Sequence, residues 1–154
     1  QELKTVYFLS PDHHTLTRVL PEFKSSTGVP GTPNGIVGTP DGRTLYVADI
    51  SGGETWSFEV QPDGSLTNKR LVCAFGSDGM TLDDEGNLYL SAPSKEPGVT
   101  VVNAKSGQQI GFIPVPEQPA NLCFGGEDHA TLYLAARTGF YSVRTSVRGA
   151  NRVK

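Results

Sequence analysis

Apolar and polar residues alternate along most of this chain in short runs, and Gly, Pro, Asp and Asn break the runs. A period of two puts successive side chains on opposite faces of a strand, so the pattern predicts β-structure rather than helix. The runs also recur. Leu45-Tyr46-Val47, Leu88-Tyr89-Leu90 and Leu132-Tyr133-Leu134 set their tyrosines 43 and then 44 residues apart. Each triplet follows a turn signal: Pro40-Asp41-Gly42, Asp84-Glu85-Gly86 or Gly126-Glu127-Asp128. Before each turn lies a short apolar strand, at residues 35–37, 79–82 and 122–124.

The second half of each unit repeats as well. Residues 56–60, Pro62-Asp63-Gly64 and residues 70–75 read as a hairpin. Residues 99–102, Lys105-Ser106-Gly107 and residues 109–115 match it, with Gly64 and Gly107 again 43 apart. Residues 6–9 and 17–20 flank Pro11-Asp12 as a further hairpin, and residues 140–143 give one last strand. Asp-Gly between alternating apolar residues is a strong hairpin signal, because both turn positions favour positive φ. The count is two, four, four and three, or thirteen strands.

Four antiparallel strands in about 43 residues is the period of a β-propeller blade. A sandwich needs no fixed period, and a helical solenoid needs 3.6-residue apolar spacing. The expectation is an all-β fold: a β-propeller of about three four-stranded antiparallel blades over residues 1–148, then a basic tail at 149–154. Propellers close with about four to eight blades, so three would leave two sheet faces open to water. We expect the chain to be part of a larger ring whose remainder lies upstream. Closure of a six-bladed ring by a second copy, or a different compact fold, are the alternatives. The chain opens on what should be a blade's third strand, and its last blade lacks a fourth.

Composition narrows the function classes. The formal net charge is −3 and the sequence pI near 5.6, which argues against a nucleic-acid partner needing a clustered basic surface. Arg144, Arg148, Arg152 and Lys154 read as a solvated end. No apolar run approaches the ~18 residues of a membrane-spanning helix. Gln1-Glu2-Leu3-Lys4 is not a signal peptide, and without an initiator Met a longer precursor remains open. Compartment is therefore undetermined. Cys73 and Cys123 both lie in apolar strand-like runs and are expected as buried free thiols.

Three ordered motifs resemble one family. They are Pro33-Asn34-Gly35-Ile36 with residues 40–49, Asp78-Gly79-Met80-Thr81-Leu82-Asp83 with Glu85-Gly86-Asn87-Leu88-Tyr89, and residues 121–126 with Thr131-Leu132-Tyr133. Together with residues 63–72 they resemble the SMP-30, gluconolactonase and regucalcin group of six-bladed propeller lactonases, over roughly Val6 to Arg148. The resemblance implies a C-terminal portion of such a ring. It also implies one divalent metal in the central channel, with Asn34 and Asp78 as two ligands and an upstream Glu as the third. The implied activity is hydrolysis of a small-molecule lactone, with this chain alone inactive or nearly so.

The residues make chemical sense for that role. Equivalent positions in successive blades face one axis, so Asn34, Asp78 and Asn121 should converge on one mouth of the channel. One carboxylate and neutral amide oxygens suit Ca²⁺ first, then Zn²⁺, Mg²⁺ or Mn²⁺. Such a cation would polarise a lactone carbonyl. Asp78 is the expected metal-holding carboxylate and proton acceptor, and hence the catalytic candidate. Asn34 is a ligand only. Asn121 is either channel-lining or a buried amide tying two blades together, and Ser77 is a channel-lining candidate.

Other polar residues have blander readings. Asn before Gly is also a common turn former. Asp41, Asp63, Asp83, Asp84 and Glu85 read as turn residues, and Asp49 as a backbone hydrogen-bond acceptor. His13-His14 sits in a turn and makes no metal pair. Trp56 and Phe58 read as packing between blades. A non-catalytic propeller scaffold, or an esterase or phosphotriesterase-like hydrolase, are the competing functions.

Overall fold

The computed structural model of the chain describes residues 4–91 and 95–150. Arg152 and Lys154 of the basic end lie outside that range. Among the described residues thirteen strands appear, all antiparallel, in sheets of two, four, four and three. β1 (Tyr7–Leu9) pairs with β2 (Leu16–Arg18). β3 (Pro33–Gly38), β4 (Thr44–Asp49), β5 (Glu54–Val60) and β6 (Leu66–Cys73) form the first full blade in sequence order. β7 (Met80–Leu82), β8 (Asn87–Leu90), β9 (Gly98–Asn103) and β10 (Gln109–Pro114) form the second. β11 (Pro119–Gly125), β12 (Thr131–Ala136) and β13 (Phe140–Arg144) form the three-stranded third. The strand count and grouping expected from the repeat are those observed, and the architecture is a partial β-propeller. No described helix is long and apolar enough to cross a membrane.

The hairpin turns follow from their residues. Gly42 and Gly86 adopt φ of 69° and 82°, the left-handed region where a Cβ is strained. Asp41 and Asp63 complete their turns by accepting the amides of Arg43 (3.1 Å) and Ser65 (2.9 Å). Pro11 and Asp12 form a turn and His13 a bend beside it, all exposed.

The core lies between the blades in layers. Strand alternation sends Tyr46 and Ala48 of β4 toward the second blade, where they meet Met80, Leu82, Leu88 and Leu90. Val47 of the same strand points the other way, toward Trp56, Phe58, Val6 and Phe23. Trp56 and Phe58 therefore pack between sheets, as expected. On β8, Leu88 and Leu90 face the first blade while Tyr89 faces Leu122, Leu132 and Leu134 of the third. All four β8 residues are buried, because both faces of the second blade are covered. Each fully buried Leu or Val there stabilises the fold by roughly 1.5–3 kcal/mol relative to exposure.

The last blade has one covered face and one open face. Leu122 and Phe124 pack against the second blade. Cys123, between them, points to the open face and is exposed, alongside Phe140 at 71% exposure. The expectation of two buried thiols is therefore corrected: Cys73 is buried and its thiol pushed up by that burial, whereas Cys123 is not. After β13 the chain returns to the second blade. Asp84 N–H donates to the Arg148 carbonyl at 2.8 Å, and Ala150 N–H to the Leu82 carbonyl at 3.0 Å.

Candidate functional site

The innermost strands β3 and β11 share a local irregularity at their entrances, whereas the innermost strand β7 pairs regularly. The β3–β4 pairing slips between Pro33 and Ile36, leaving Asn34 and Gly35 out of the ladder. The β11–β12 pairing slips between Pro119 and Asn121. In the second blade, Gly79 N–H donates to the Ser91 hydroxyl at 2.8 Å, next to the regular ladder of β7 and β8. Bulges of this kind re-aim side chains at the rim of a sheet.

These three entrances touch through their glycines. Gly35 N–H donates to the Ser77 carbonyl at 3.2 Å, linking the first and second blades. A Cβ on Gly35 would lie 3.1 Å from Met80 Cε and 3.2 Å from the Asp78 carbonyl oxygen. A Cβ on Gly79 would lie 2.7 Å from Asn121 Cα and collide with Asn121 Oδ1. The Ser91 hydroxyl lies 3.0 Å from the Gly79 carbonyl and 3.1 Å from the Ala120 carbonyl, closing the second-to-third junction. So the backbones around Asn34, Asp78 and Asn121 stand side by side in chain order.

The four candidate side chains differ in how they are engaged. Asn34 is exposed and Asp78 half-buried. Among the described residues, neither side chain makes a hydrogen bond to protein. Asn121 is exposed, and its Oδ1 accepts the Leu122 amide at 2.8 Å while resting over Gly79. Ser77 is fully buried, and its hydroxyl donates to the Gly79 carbonyl. A carboxylate and an amide without hydrogen bonds to described residues, carried on adjoining strand entrances, are oxygen donors of the kind a hard cation takes. Among the described residues, no group of three or more His, Cys, Asp or Glu gathers to hold a metal. A site built from this chain therefore depends on amide oxygens.

Two further acids hold the scaffold, Asp83 at the far end of β7 from this rim and Asp49 at the end of β4. Asp83 is buried and accepts the Asn87 amide (2.8 Å), the Asn87 side chain (2.9 Å) and the Tyr89 hydroxyl (3.2 Å). Burial first, then the Asp83 charge and hydrogen bond, push the Tyr89 hydroxyl well above its ordinary value. Asp49 is fully buried; burial raises its carboxyl, but donated hydrogen bonds from Thr32, Gly52 and Ser51 outweigh this and hold it below the usual range. Sequence reasoning recognised Asp49 as an acceptor but missed Ser91, which belongs to no motif. Its only signal was a small polar residue at the inner end of β8.

Comparison with known proteins bears on this arrangement. The family model described as SMP-30/Gluconolactonase/LRE-like region matches residues 2–138. A gluconolactonase of Zymomonas mobilis is 32% identical over 131 residues, which is 76% of this chain and 36% of that protein. The lactonase drp35 of Staphylococcus aureus is 26% identical over 118 residues, 72% of this chain and 34% of that protein. A solved gluconolactonase from Xanthomonas campestris superposes with a TM-score of 0.74 at 28% identity, covering 91% of this chain and 44% of that one. A regucalcin from Agrobacterium tumefaciens, described as calcium-binding, shares the fold with a TM-score of 0.74 at 20% identity, over 96% of this chain and 54% of that one. The chain spans about a third of the length of the curated relatives it matches, and about half of these solved structures. With the family model matching residues 2–138, and a 32% identical relative aligned over 76% of the chain, this chain belongs to the SMP-30/gluconolactonase/LRE-like family.

Proposed function

We propose that this chain carries part of the site of a divalent-cation-dependent hydrolase that opens a sugar lactone of the gluconolactonase type. The observation that carries the reading is the pairing of Asn34 and Asp78. Two oxygen-bearing side chains without hydrogen bonds to described residues stand on adjoining inner-strand entrances, whose backbones meet through Gly35. The names of the Zymomonas, Staphylococcus and Xanthomonas relatives support a lactone as the substrate class. The calcium-binding description of the regucalcin neighbour, with the all-oxygen donor set, favours Ca²⁺.

Asn34 and Asp78 would hold the cation, which supplies Lewis acidity toward the lactone carbonyl. Asp78 would also provide negative charge at the rim and would be the carboxylate of this chain to accept a proton from the attacking water. The amide of Asn34 contributes an oxygen that does not titrate. Further blades, or a second copy, complete the ring and supply a third ligand.

The test is calcium binding by titration calorimetry, together with hydrolysis of glucono-lactone by a protein carrying the whole ring. Asp78→Ala and Asn34→Ala each weaken calcium binding by about tenfold or more, and chelation abolishes hydrolysis. Hydrolysis that persists in excess chelator and in Asp78→Ala would refute the reading. An intact ring with no lactonase activity would favour a binding scaffold instead.

A further inference from the structure

β4 ends on Asp49, whose side chain has no solvent exposure. Its Oδ1 accepts the amides of Thr32 (2.8 Å), Gly52 (2.9 Å) and Ser51 (3.2 Å), and the Ser51 hydroxyl (2.9 Å). Ile50 N–H closes the loop by donating to the Thr32 carbonyl at 3.1 Å. Thr32, two residues before Asn34, is thus fixed through both of its backbone groups. The carboxylate fits only because residues 31 and 52 are glycine. A Cβ would lie 2.8 Å from Asp49 Cγ at Gly31 and 2.9 Å at Gly52, and neither glycine has a positive φ, so what they supply is space.

A turn alone does not need this arrangement. Asp41 and Asp63 cap their hairpins from exposed positions, accepting one backbone amide each. Asp49 instead grips a segment 17 residues away, at the edge of the β3 bulge. The other edge of that bulge is pinned by Gly35 N–H on the Ser77 carbonyl. Asn34 sits between the two anchors. Burying a charged group is costly unless its acceptors are filled, and four donors on Oδ1 provide that compensation. Oδ2, beside Gly31 and Gly52, finds no hydrogen-bond partner among the described residues.

We propose that Asp49 is a positioning residue for the cation site: by holding Thr32 it sets the bulge that presents the Asn34 amide beside Asp78. The proposal rests on the reading of Asn34 as a ligand given above. Its signature is that Asp49 acts on cation binding through Asn34 and through nothing else.

The experiment compares Asp49→Ala, Asp49→Asn, Asn34→Ala and the Asp49→Ala/Asn34→Ala double variant of a protein carrying the whole ring. It measures calcium affinity by calorimetry, and amide hydrogen exchange at Gly35 without calcium. Asp49→Ala is expected to speed Gly35 exchange and to weaken calcium binding by about 10- to 100-fold, the range for residues that orient a metal ligand. Asp49→Asn keeps an acceptor at Oδ1 and should stay within about threefold of the wild type, less than half a decade in free-energy terms. In the Asn34→Ala background, Asp49→Ala should add no further loss, because the two act as one unit. Unchanged Gly35 exchange in Asp49→Ala, or an equal calcium loss with and without Asn34, overturns the proposal. If Asp49→Ala does not fold, Gly52→Ala displaces the carboxylate without removing it and carries the same comparison. Should the wild-type protein with its whole ring bind no calcium, the reading of Asn34 as a ligand fails. Gly35 exchange then decides whether Asp49 controls the bulge.

Discussion

Replacing Gly79 by alanine probes the contact on which the shared rim depends. The new Cβ would sit 2.7 Å from Asn121 Cα and Cγ and would overlap Asn121 Oδ1. The side chain of Asn121 can rotate away, but its Cα moves only if β11 moves. Overpacking of this kind costs about 1–3 kcal/mol, and a clash with backbone belongs at the upper end. Gly79 has no positive φ, so alanine also restricts the unfolded chain, which returns roughly 0.4–1 kcal/mol. The net expectation is a loss of about 2 kcal/mol, or roughly 4–8 °C in Tm for a domain of this size. Gly38→Ala is the control, since its Cβ would meet only the Thr44 carbonyl oxygen at an ordinary 3.8 Å. Thermal and urea unfolding of both variants measure the difference. If Gly79→Ala is as stable as Gly38→Ala, the second and third blades do not meet as described. Asp78 and Asn121 would then not border one mouth.

Two titrations test the surrounding scaffold. Tyr89 has a raised folded-state value, so its stabilising contribution is complete below the ordinary phenol value of about 10 and is lost as pH rises toward the folded one. Tyr89→Phe should remove that alkaline loss and cost about 0.5–1.5 kcal/mol at neutral pH, read from urea unfolding at both pH values. Identical alkaline losses in the two proteins would contradict the Asp83 contact. Asp128 is held down to about 2, chiefly by hydrogen bonds from Arg144. Its contribution is therefore present above the unfolded value and lost as pH falls through the folded one. An NMR titration should place the Asp128 midpoint near that value, and Arg144→Gln should return it toward about 3.9. A wild-type midpoint already near the ordinary value rules the ion pair out.

Much of the fold was legible in the sequence because its signals are local. The 43-residue spacing of Tyr46 and Tyr89 and the Asp-Gly turns are set by neighbours within a hairpin, and they yielded the two, four, four and three grouping of strands. The candidate rim was partly legible for the same reason. A repeat puts Asn34, Asp78 and Asn121 at like positions, and like positions in adjacent blades adjoin. What the alternation could not say is which face of a strand is covered. Cys123 lies in as apolar a run as Cys73, yet it is exposed, because exposure depends on whether another sheet packs there. Nor does any local pattern link Asp49 to Thr32, or Ser91 to the Ala120 carbonyl of the next blade. Those bonds join residues far apart in the chain, and only the stacking of blades brings them together. The sequence by itself determined the strands, their turns and the residue types on the rim. The tertiary structure alone decided which polar groups are spent on holding the backbone and which stay free, because buried polar groups must find partners wherever the packing places them.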